Sequence, residues 1–547
     1  MKLVIVGGVA GGASAAARAR RIDENAEIVM IERGEFISFA NCGLPYHVGE
    51  VIPERSKLLV MTPQKFKKRF NIDVRTRNDV ISIDRSKKTI TVRRTDEGEI
   101  YEESYDKLIL ATGSSPIHPP IPGVSDPDVM PLWTIPDMDR IKARVDSGAK
   151  RAVVIGAGFI GLEVAENLVE RGVQTTVVEM LPQVLPTMDQ EMTTPITKEL
   201  KKHGVNLLLD SRVTAIHRPE TDTEVSSELQ VAIDGHDNIV ADFVVLSVGV
   251  KPNSELAVQA GLDTGERGGI KVDTKMRTSD PDIFAVGDVT EIFNAVTGNP
   301  AQIPLAGPAN REGRIAADNA LGRETYFKGA LGTNIVKVFD LGAGSAGCSE
   351  RQLNKDGIPF NKVYVHPMSH AGYYPGACPV SVKLLFNDAG KILGVQAIGY
   401  DGVDKRIDVI ATAMASELTV EDLAELELAY APPYGSARDV VNYAGMVAAN
   451  VLRGDTTVVH VDDIPEDAVL LDVREPDETA EGTLPNAVLI PLGTLRDRLD
   501  ELPKDKKIVV YCKVGLRGYV GERILKLNGF DAANLSGGWT TYQHFLG

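Results

Sequence analysis

Cys42 lies in the run Ser38-Phe39-Ala40-Asn41-Cys42-Gly43-Leu44-Pro45-Tyr46, and the next cysteine along the chain is Cys348. A thiol without a neighbouring cysteine cannot close a disulfide in its own loop. Any redox cycle at Cys42 therefore passes through a bond to something outside the chain: a substrate thiol, a sulfane sulfur or an oxygen. A second sulfur with chemical context is Cys512, which ends the apolar run Ile508-Val509-Val510-Tyr511 and is followed by Lys513-Val514-Gly515-Leu516-Arg517 at the start of a helical pattern. A short loop between strand and helix turns several backbone N–H groups toward its centre, an arrangement suited to a thiolate or persulfide, and Arg517 adds positive charge. Cys348 and Cys378 have no such setting and read as inert, buried cysteines.

The elements that must position these thiols begin with two strand–glycine turn–helix units. The first is Leu3–Val6, then Gly7, Gly8, Val9, Ala10, Gly11 and Gly12, then an Ala-rich helix from Ala13. The second is Ala152–Ile155, then Gly156, Ala157, Gly158, Phe159, Ile160 and Gly161, then a helix through Val169. Glycines in such turns let a pyrophosphate approach backbone N–H groups at the helix start. Glu32 and Glu179 each end a short strand about twenty residues beyond their turn, where an acid accepts hydrogen bonds from ribose hydroxyls. Val9 stands where the middle glycine of the first turn belongs, and its Cβ is expected to hold a pyrophosphate back. At the second site a 2′-phosphate would be repelled by Glu179, and residues 180–197 hold no Lys or Arg to offset it, which favours NADH over NADPH. Leu108–Gly113 and Val244–Gly249 are apolar strands breaking at glycine, and Ile283–Asp288 returns the chain to the first unit. From about 330 to 452, the strand Val380–Phe386 and a helix near Asp404–Ser416 suggest a separate α+β domain. Arg453-Gly454-Asp455 reads as a linker. Beyond it strands and helices alternate: Val469–Val473, Ile508–Cys512, a helix over Arg517–Leu527, then a strand over Asn534–Trp539, implying a small parallel sheet.

Bulk properties narrow the class. A chain of 547 residues is too long for one core. Its net charge of −17 disfavours nucleic acid and anionic membranes as partners. No apolar run reaches membrane-spanning length, and the first strand begins too early to leave room for a secretion signal. The 4 cysteines do not form a disulfide framework, and the 9 histidines show no metal-ligand spacing, so no metal site is expected. These features predict a cytoplasmic protein with reduced thiols.

Residues 1 to about 450 resemble the FAD- and pyridine-nucleotide-dependent disulfide reductase family. The resemblance implies that Gly7, Gly8, Gly11, Gly12, Glu32, Thr112, Gly113, Gly287 and Asp288 hold FAD. Gly156, Gly158, Gly161 and Glu179 would hold the nicotinamide nucleotide, with Phe159 near the flavin and Glu163 placing the nicotinamide. The run from Ser38 to Tyr46 is similar to that of coenzyme A-disulfide reductases, in which the cysteine rests as a mixed disulfide with coenzyme A. A helix N-terminus or a neighbouring cation would lower the pKa of Cys42. Asn41 and Ser38 would contact the sulfur or the coenzyme. Ser14, Arg18 and Arg21 share one helical face, and the resemblance gives them, with Arg438, the coenzyme A phosphates. Tyr373 and Tyr430 (or Tyr374 and Tyr434 in a shifted register) would reach Cys42 from a partner subunit of a homodimer and protonate a leaving thiolate. A lysine that the family has near Phe70 is absent, with Lys67 and Lys68 close by.

The last ninety or so residues resemble a rhodanese domain through Asp472-Val473-Arg474-Glu475, Gly482–Ala487, Cys512–Arg517 and Gly537-Gly538-Trp539. The implied architecture is α/β: two Rossmann-like nucleotide-binding domains (1–149 with 270–328 for FAD, 150–269 for NAD(P)H), an α+β dimerisation domain (329–452) and a C-terminal rhodanese-like α/β domain (456–547). The implied activity is FAD- and NADH-dependent reduction of a coenzyme A persulfide, polysulfide or disulfide at Cys42, with Cys512 handling sulfane sulfur. Two alternatives stay open: a peroxidase or oxidase cycling Cys42 through sulfenic acid, and a sulfur-relay or redox-sensing protein.

Overall fold

The computed structural model describes residues 1–219 and 228–546. They form two compact units: residues 1–182 with 203–332, and residues 183–202 with 333–547.

The first unit holds two five-stranded parallel sheets. One has the order Ile283–Ala285, Lys107–Leu110, Lys2–Val6, Glu27–Ile31, Asp73–Arg75. The other runs Asn206–Leu208, Gln174–Val178, Arg151–Ile155, Phe243–Leu246, Val129–Pro131. In each, the strand before the glycine turn is apolar and buried on both faces, as a sheet covered on both sides requires. The helix after the first turn, Ala10–Ile22, packs on Ala306–Ala320 through small residues. A Cβ on Gly313 would come within 2.2 Å of the Gly11 carbonyl oxygen, so this close approach is open only to glycine. Two three-stranded antiparallel sheets, Asn78–Asp84 to Ile100–Ser104 and Val213–His217 to Ile239–Ala241, belong to the same unit, as do two smaller sheets, Ser114–Pro116 with Val250–Pro252 and Ile270–Lys271 with Thr290–Phe293 and Pro300–Ala301.

In the second unit a five-stranded antiparallel sheet runs in the order Asn334–Val338, Leu341–Gly347, Ile392–Gly399, Val380–Phe386, Asn361–Val365. Helices Val403–Ala415 and Val440–Leu452 pack against it. The chain after Gly454 forms a parallel sheet of order Val458–Val459, Ala532–Leu535, Ile508–Tyr511, Val469–Asp472, Val488–Leu489. The strand expected over Asn534–Trp539 is corrected by the structure: it stops at Leu535, and Trp539 belongs to the helix Gly538–Leu546. Gly537 and Gly538 have φ of 69° and 61°, a left-handed pair that breaks the strand and starts the helix.

A polar seam joins this last domain to the antiparallel sheet. Ser536 Oγ accepts from the Tyr364 N–H at 3.1 Å, and His366 Nε2 pairs with Thr541 Oγ1 at 2.8 Å while its Nδ1 pairs with Ser381 Oγ at 2.8 Å. Nearby, the fully buried Lys383 ammonium meets Asp189 at 2.7 Å, Glu191 at 2.5 Å and Glu350. The lysine stands where three converging carboxylates would otherwise face a cation, and its own burial is made tolerable by that pairing.

Candidate active site

Cys42 sits in a single 3-10 turn, Asn41–Gly43, that runs into the short helix Leu44–Val48. Pro45 near the helix start fixes φ without costing a needed N–H. The run is held against the first glycine turn, because Ser38 N–H donates to the Gly8 carbonyl at 2.8 Å. Ser38 itself has φ of 46°, a left-handed conformation that costs a serine energy and that local packing must hold. The Cys42 side chain opens to solvent, yet enough protein crowds it that burial pushes its thiol upward, and the Glu163 carboxylate adds to the shift. The lowering by a helix N-terminus or cation is thus not what the structure provides: the charged groups acting on this thiol are the acids Glu163 and Asp288, with one backbone hydrogen bond opposing them. Tyr46 Oη donates to Glu163 Oε1 at 3.3 Å, and burial lifts that carboxyl to about 7. Tyr46 stood in the motif without an assigned role; only the fold shows that it meets Glu163.

At the first nucleotide turn, both oxygens of Glu32 are engaged, accepting from Gly8 N–H at 2.9 Å and Gly34 N–H at 2.8 Å. Gly7 has φ of 104°, and a Cβ on Gly12 would meet the Gly7 carbonyl at 1.9 Å, so these two positions require glycine. Val9 is half-buried with φ of −95° and ψ of −142°, so the backbone at this position is not in the left-handed region that favours glycine. Gly113 (φ 64°) faces open space, and the neighbouring Asp288 is half-buried with Ser114 Oγ donating to it at 2.8 Å. Burial raises the Asp288 carboxyl. A half-buried acid with spare acceptor sites beside an open glycine fits the sugar-chain hydroxyls of a flavin nucleotide. Thr112 Oγ1 donates to the Asn253 carbonyl at 2.7 Å, a packing role. Glu312, absent from the motifs, accepts from Gly287 N–H at 2.6 Å and is lifted by burial to about 7.

The second turn repeats the plan. Glu179 accepts from Ala157 N–H at 2.7 Å and Leu181 N–H at 2.9 Å. Gly158 faces open space, and Phe159 opens the helix Phe159–Glu170 that carries Glu163. Beside this turn Arg212 Nη2 lies 3.8 Å from the Met180 thioether Sδ. That exposed cation immediately precedes the strand Val213–His217 and lay outside the residues 180–197 considered above.

On the helix Ala10–Ile22, Ser14 pairs with Asn310, and Arg18 forms an ion pair with Asp318 at 2.7 Å. Arg21 is exposed. Tyr373 and Tyr430 lie in the other unit, where their hydroxyls meet at 3.1 Å although the rings are 77% and 48% exposed. Tyr434 is 74% exposed and Tyr374 stacks edgewise on His370. Arg438 lies over the Tyr443 ring, 5.4 Å from its centroid. A cavity of about 490 Å³ is lined by Tyr373, Tyr430 and Arg438 at one side and by Val514, Gly515 and Leu516 at the other. Its size falls in the range of small-molecule sites.

Cys512 is buried, and Gly515 N–H donates to its sulfur at 3.2 Å. Gly515 has φ of 93° and caps the helix Leu516–Leu527, which lets the loop curl over the sulfur. A Cβ on Gly538 would reach the Cys512 carbonyl at 2.2 Å, and Trp539 N–H donates to that carbonyl at 2.8 Å. Arg517 points both to Cys512 and to Glu478, forming two 2.7 Å bonds to the latter.

Comparison with known proteins gives three family matches: pyridine nucleotide-disulphide oxidoreductase over residues 1–313, its dimerisation domain over 333–440, and rhodanese-like domain over 459–544. The coenzyme A disulfide reductase of Staphylococcus aureus strain JH9 is 38% identical over 450 residues, 82% of this chain and 99% of that protein. The crystal structure of reduced Bacillus anthracis CoADR-RHD aligns with a TM-score of 0.96 and 48% identity, covering 100% of this chain and 98% of that one. An NAD-dependent persulfide reductase from A. fulgidus aligns with a TM-score of 0.92 and 40% identity, covering 99% of this chain and 100% of that one.

Proposed function

Because the chain belongs to the pyridine nucleotide-disulphide oxidoreductase family and ends in a rhodanese-like domain, we propose that it uses NADH to reduce coenzyme A persulfides, and coenzyme A disulfide, through Cys42. It is an oxidoreductase acting on a sulfur group, working with FAD and a nicotinamide nucleotide. FAD, when bound, supplies the transfer of an electron pair from the nicotinamide to the Cys42 sulfur. The residues placed to hold it are the turn Gly7–Gly12, Glu32, Gly113 and Asp288; Gly156–Gly161 and Glu179 take the nicotinamide nucleotide.

The chain's own chemistry starts at Cys42. Its thiolate attacks the inner sulfur of a coenzyme A persulfide, the S–S bond breaks, hydrosulfide leaves, and a mixed disulfide with coenzyme A remains. Reduction returns the Cys42 thiolate and free coenzyme A thiol, so that one persulfide and one NADH give one thiol, one hydrosulfide and NAD⁺. Glu163 and Tyr46 hold a proton beside the sulfur, and Tyr373 with Tyr430 from a partner subunit would protonate the departing thiolate. Ser14, Arg18, Arg21, Ser38, Asn41 and Arg438 are assigned to the coenzyme; Arg18 would have to share its guanidinium with Asp318. NADH is preferred on the strength of the Glu179 carboxylate, with Arg212 a nearby cation that could admit a 2′-phosphate.

The observation that carries this reading is the cavity shared by the Tyr373–Tyr430 pair and the loop after Cys512. A flexible coenzyme thiol arm lying there would carry sulfane sulfur between Cys512 and the partner subunit's Cys42, which those tyrosines are assigned to serve. The test is sulfide release from coenzyme A persulfide with NADH. Cys42→Ser should lower it by at least about a thousandfold while the flavin stays bound; a variant that retains most of its sulfide production overturns the mechanism.

A further inference from the structure

Arg517 closes the loop that begins at Cys512, yet its charge is already matched. Nη1 and Nη2 each donate to one oxygen of the Glu478 carboxylate at 2.7 Å, a two-point pair whose side chains are 34% and 24% exposed. Glu478 is fixed from behind. The fully buried Arg474 grips the Asp472 carboxylate through Nε (3.0 Å) and Nη2 (2.7 Å), and also donates to the carbonyls of Glu478 (3.1 Å) and Gly482 (2.7 Å). The Glu475 N–H donates to the Glu478 carboxylate at 3.1 Å. The turn bearing Glu478 is therefore anchored by a buried arginine and cannot swing away without breaking those bonds. Arg517 holds the Glu478 carboxyl down to about 2, so it carries its charge at any working pH.

We propose that Glu478 is a specificity-determining residue of the Cys512 site: it cancels the Arg517 charge, so the cradle takes sulfane sulfur from thiol persulfides rather than from doubly charged donors such as thiosulfate. The proposal rests on reading Cys512 as a sulfur carrier and names its donor class. A dianion entering the loop must displace a two-point ion pair to reach Arg517, and it meets a carboxylate while doing so. Both donors undergo the same balanced step. The Cys512 thiolate attacks the outer, sulfane sulfur, the donor's S–S bond breaks, and sulfite or a thiolate leaves with the electron pair, giving a persulfide on Cys512 without any outside oxidant or reductant.

The experiment uses the full-length holoenzyme and measures sulfur transfer to cyanide from thiosulfate and from glutathione persulfide, read as the ratio of the two kcat/KM values. Glu478→Gln should raise the thiosulfate-to-persulfide ratio by about fivefold or more; a smaller rise, no change or a fall overturns the proposal. The double variant Glu478→Gln/Arg517→Gln replaces both charges by neutral isosteres and guards against misfolding of the single one. Its ratio should return to within about threefold of wild type, and a larger departure counts against charge cancellation. A second readout needs no transfer activity: alkylation of Cys512 by iodoacetate relative to iodoacetamide, followed by mass spectrometry of its peptide. That ratio should rise in Glu478→Gln and stay at the wild-type value in the double variant. Absence of transfer from both donors in the wild type would remove the sulfur-carrier reading, while the alkylation ratio would still decide the role of Glu478.

Discussion

Burial disfavours the Cys42 thiolate, and the Glu163 carboxylate adds to that effect. With its carboxyl near 7 and hydrogen-bonded by Tyr46, Glu163 passes between neutral and ionised forms across the working pH range, and its ionised form opposes the thiolate. Replacing it by Gln removes that opposition. In the reduced holoenzyme, Glu163→Gln should lower the midpoint of the pH profile for Cys42 alkylation by about half a unit to one unit; an unchanged or raised midpoint would show that Glu163 does not act on the thiol. The importance of Cys42 was legible in the sequence from its isolation within the chain. Its electrostatics were not, because Glu163 and Asp288 lie far along the chain and only the fold brings them to the sulfur. Arg212 was hidden for the same reason.

The seam between the last domain and the antiparallel sheet carries three histidines, His366 buried and His460 and His544 half-buried. Burial lowers His366 and His460 to about 3 and His544 to about 4. Each is neutral in the fold but binds a proton in the unfolded chain below its ordinary value of 6.5. Their folded values are depressed, so stability is complete above that pH and is lost as pH falls toward 4, by at most about 1.4 kcal/mol per unit for each histidine. Thermal unfolding followed from pH 7 to 4.5 should show this decline, and it should be shallower in His544→Gln; equal slopes in both proteins would exclude the seam as its source. At this scale the sequence was read well where a period or a glycine break set the element: Val380–Phe386 is a strand as expected, and both glycine turns precede helices. It was misread at Trp539, since the sequence Asn534–Trp539 does not by itself report that Gly537 and Gly538 both turn left-handed.

For the whole molecule, the exposed Tyr373–Tyr430 pair raises the question of what covers it. If the partner subunit brings these hydroxyls to Cys42, then two inactive proteins, Cys42→Ser and Tyr373→Phe/Tyr430→Phe, should complement each other. Subunits exchanged at equal concentration form mixed dimers with one intact site, and about a quarter of wild-type activity should return; no recovery would mean that each site is completed within one chain, or that the tyrosines are dispensable if the double variant is active alone. Domain identities were legible because each carries a local signature at a strand end. What no local signature reports is the attachment of the last domain. His366 and Tyr364 donate or accept across it, and Lys362 contacts Asp462 at 3.3 Å. The carboxy-terminal domain is therefore no pendant module. Transplanting it onto another reductase would succeed only if the recipient's surface also offered the Tyr364–His366 face, so recombination that shuffles such domains must exchange both sides of the join together.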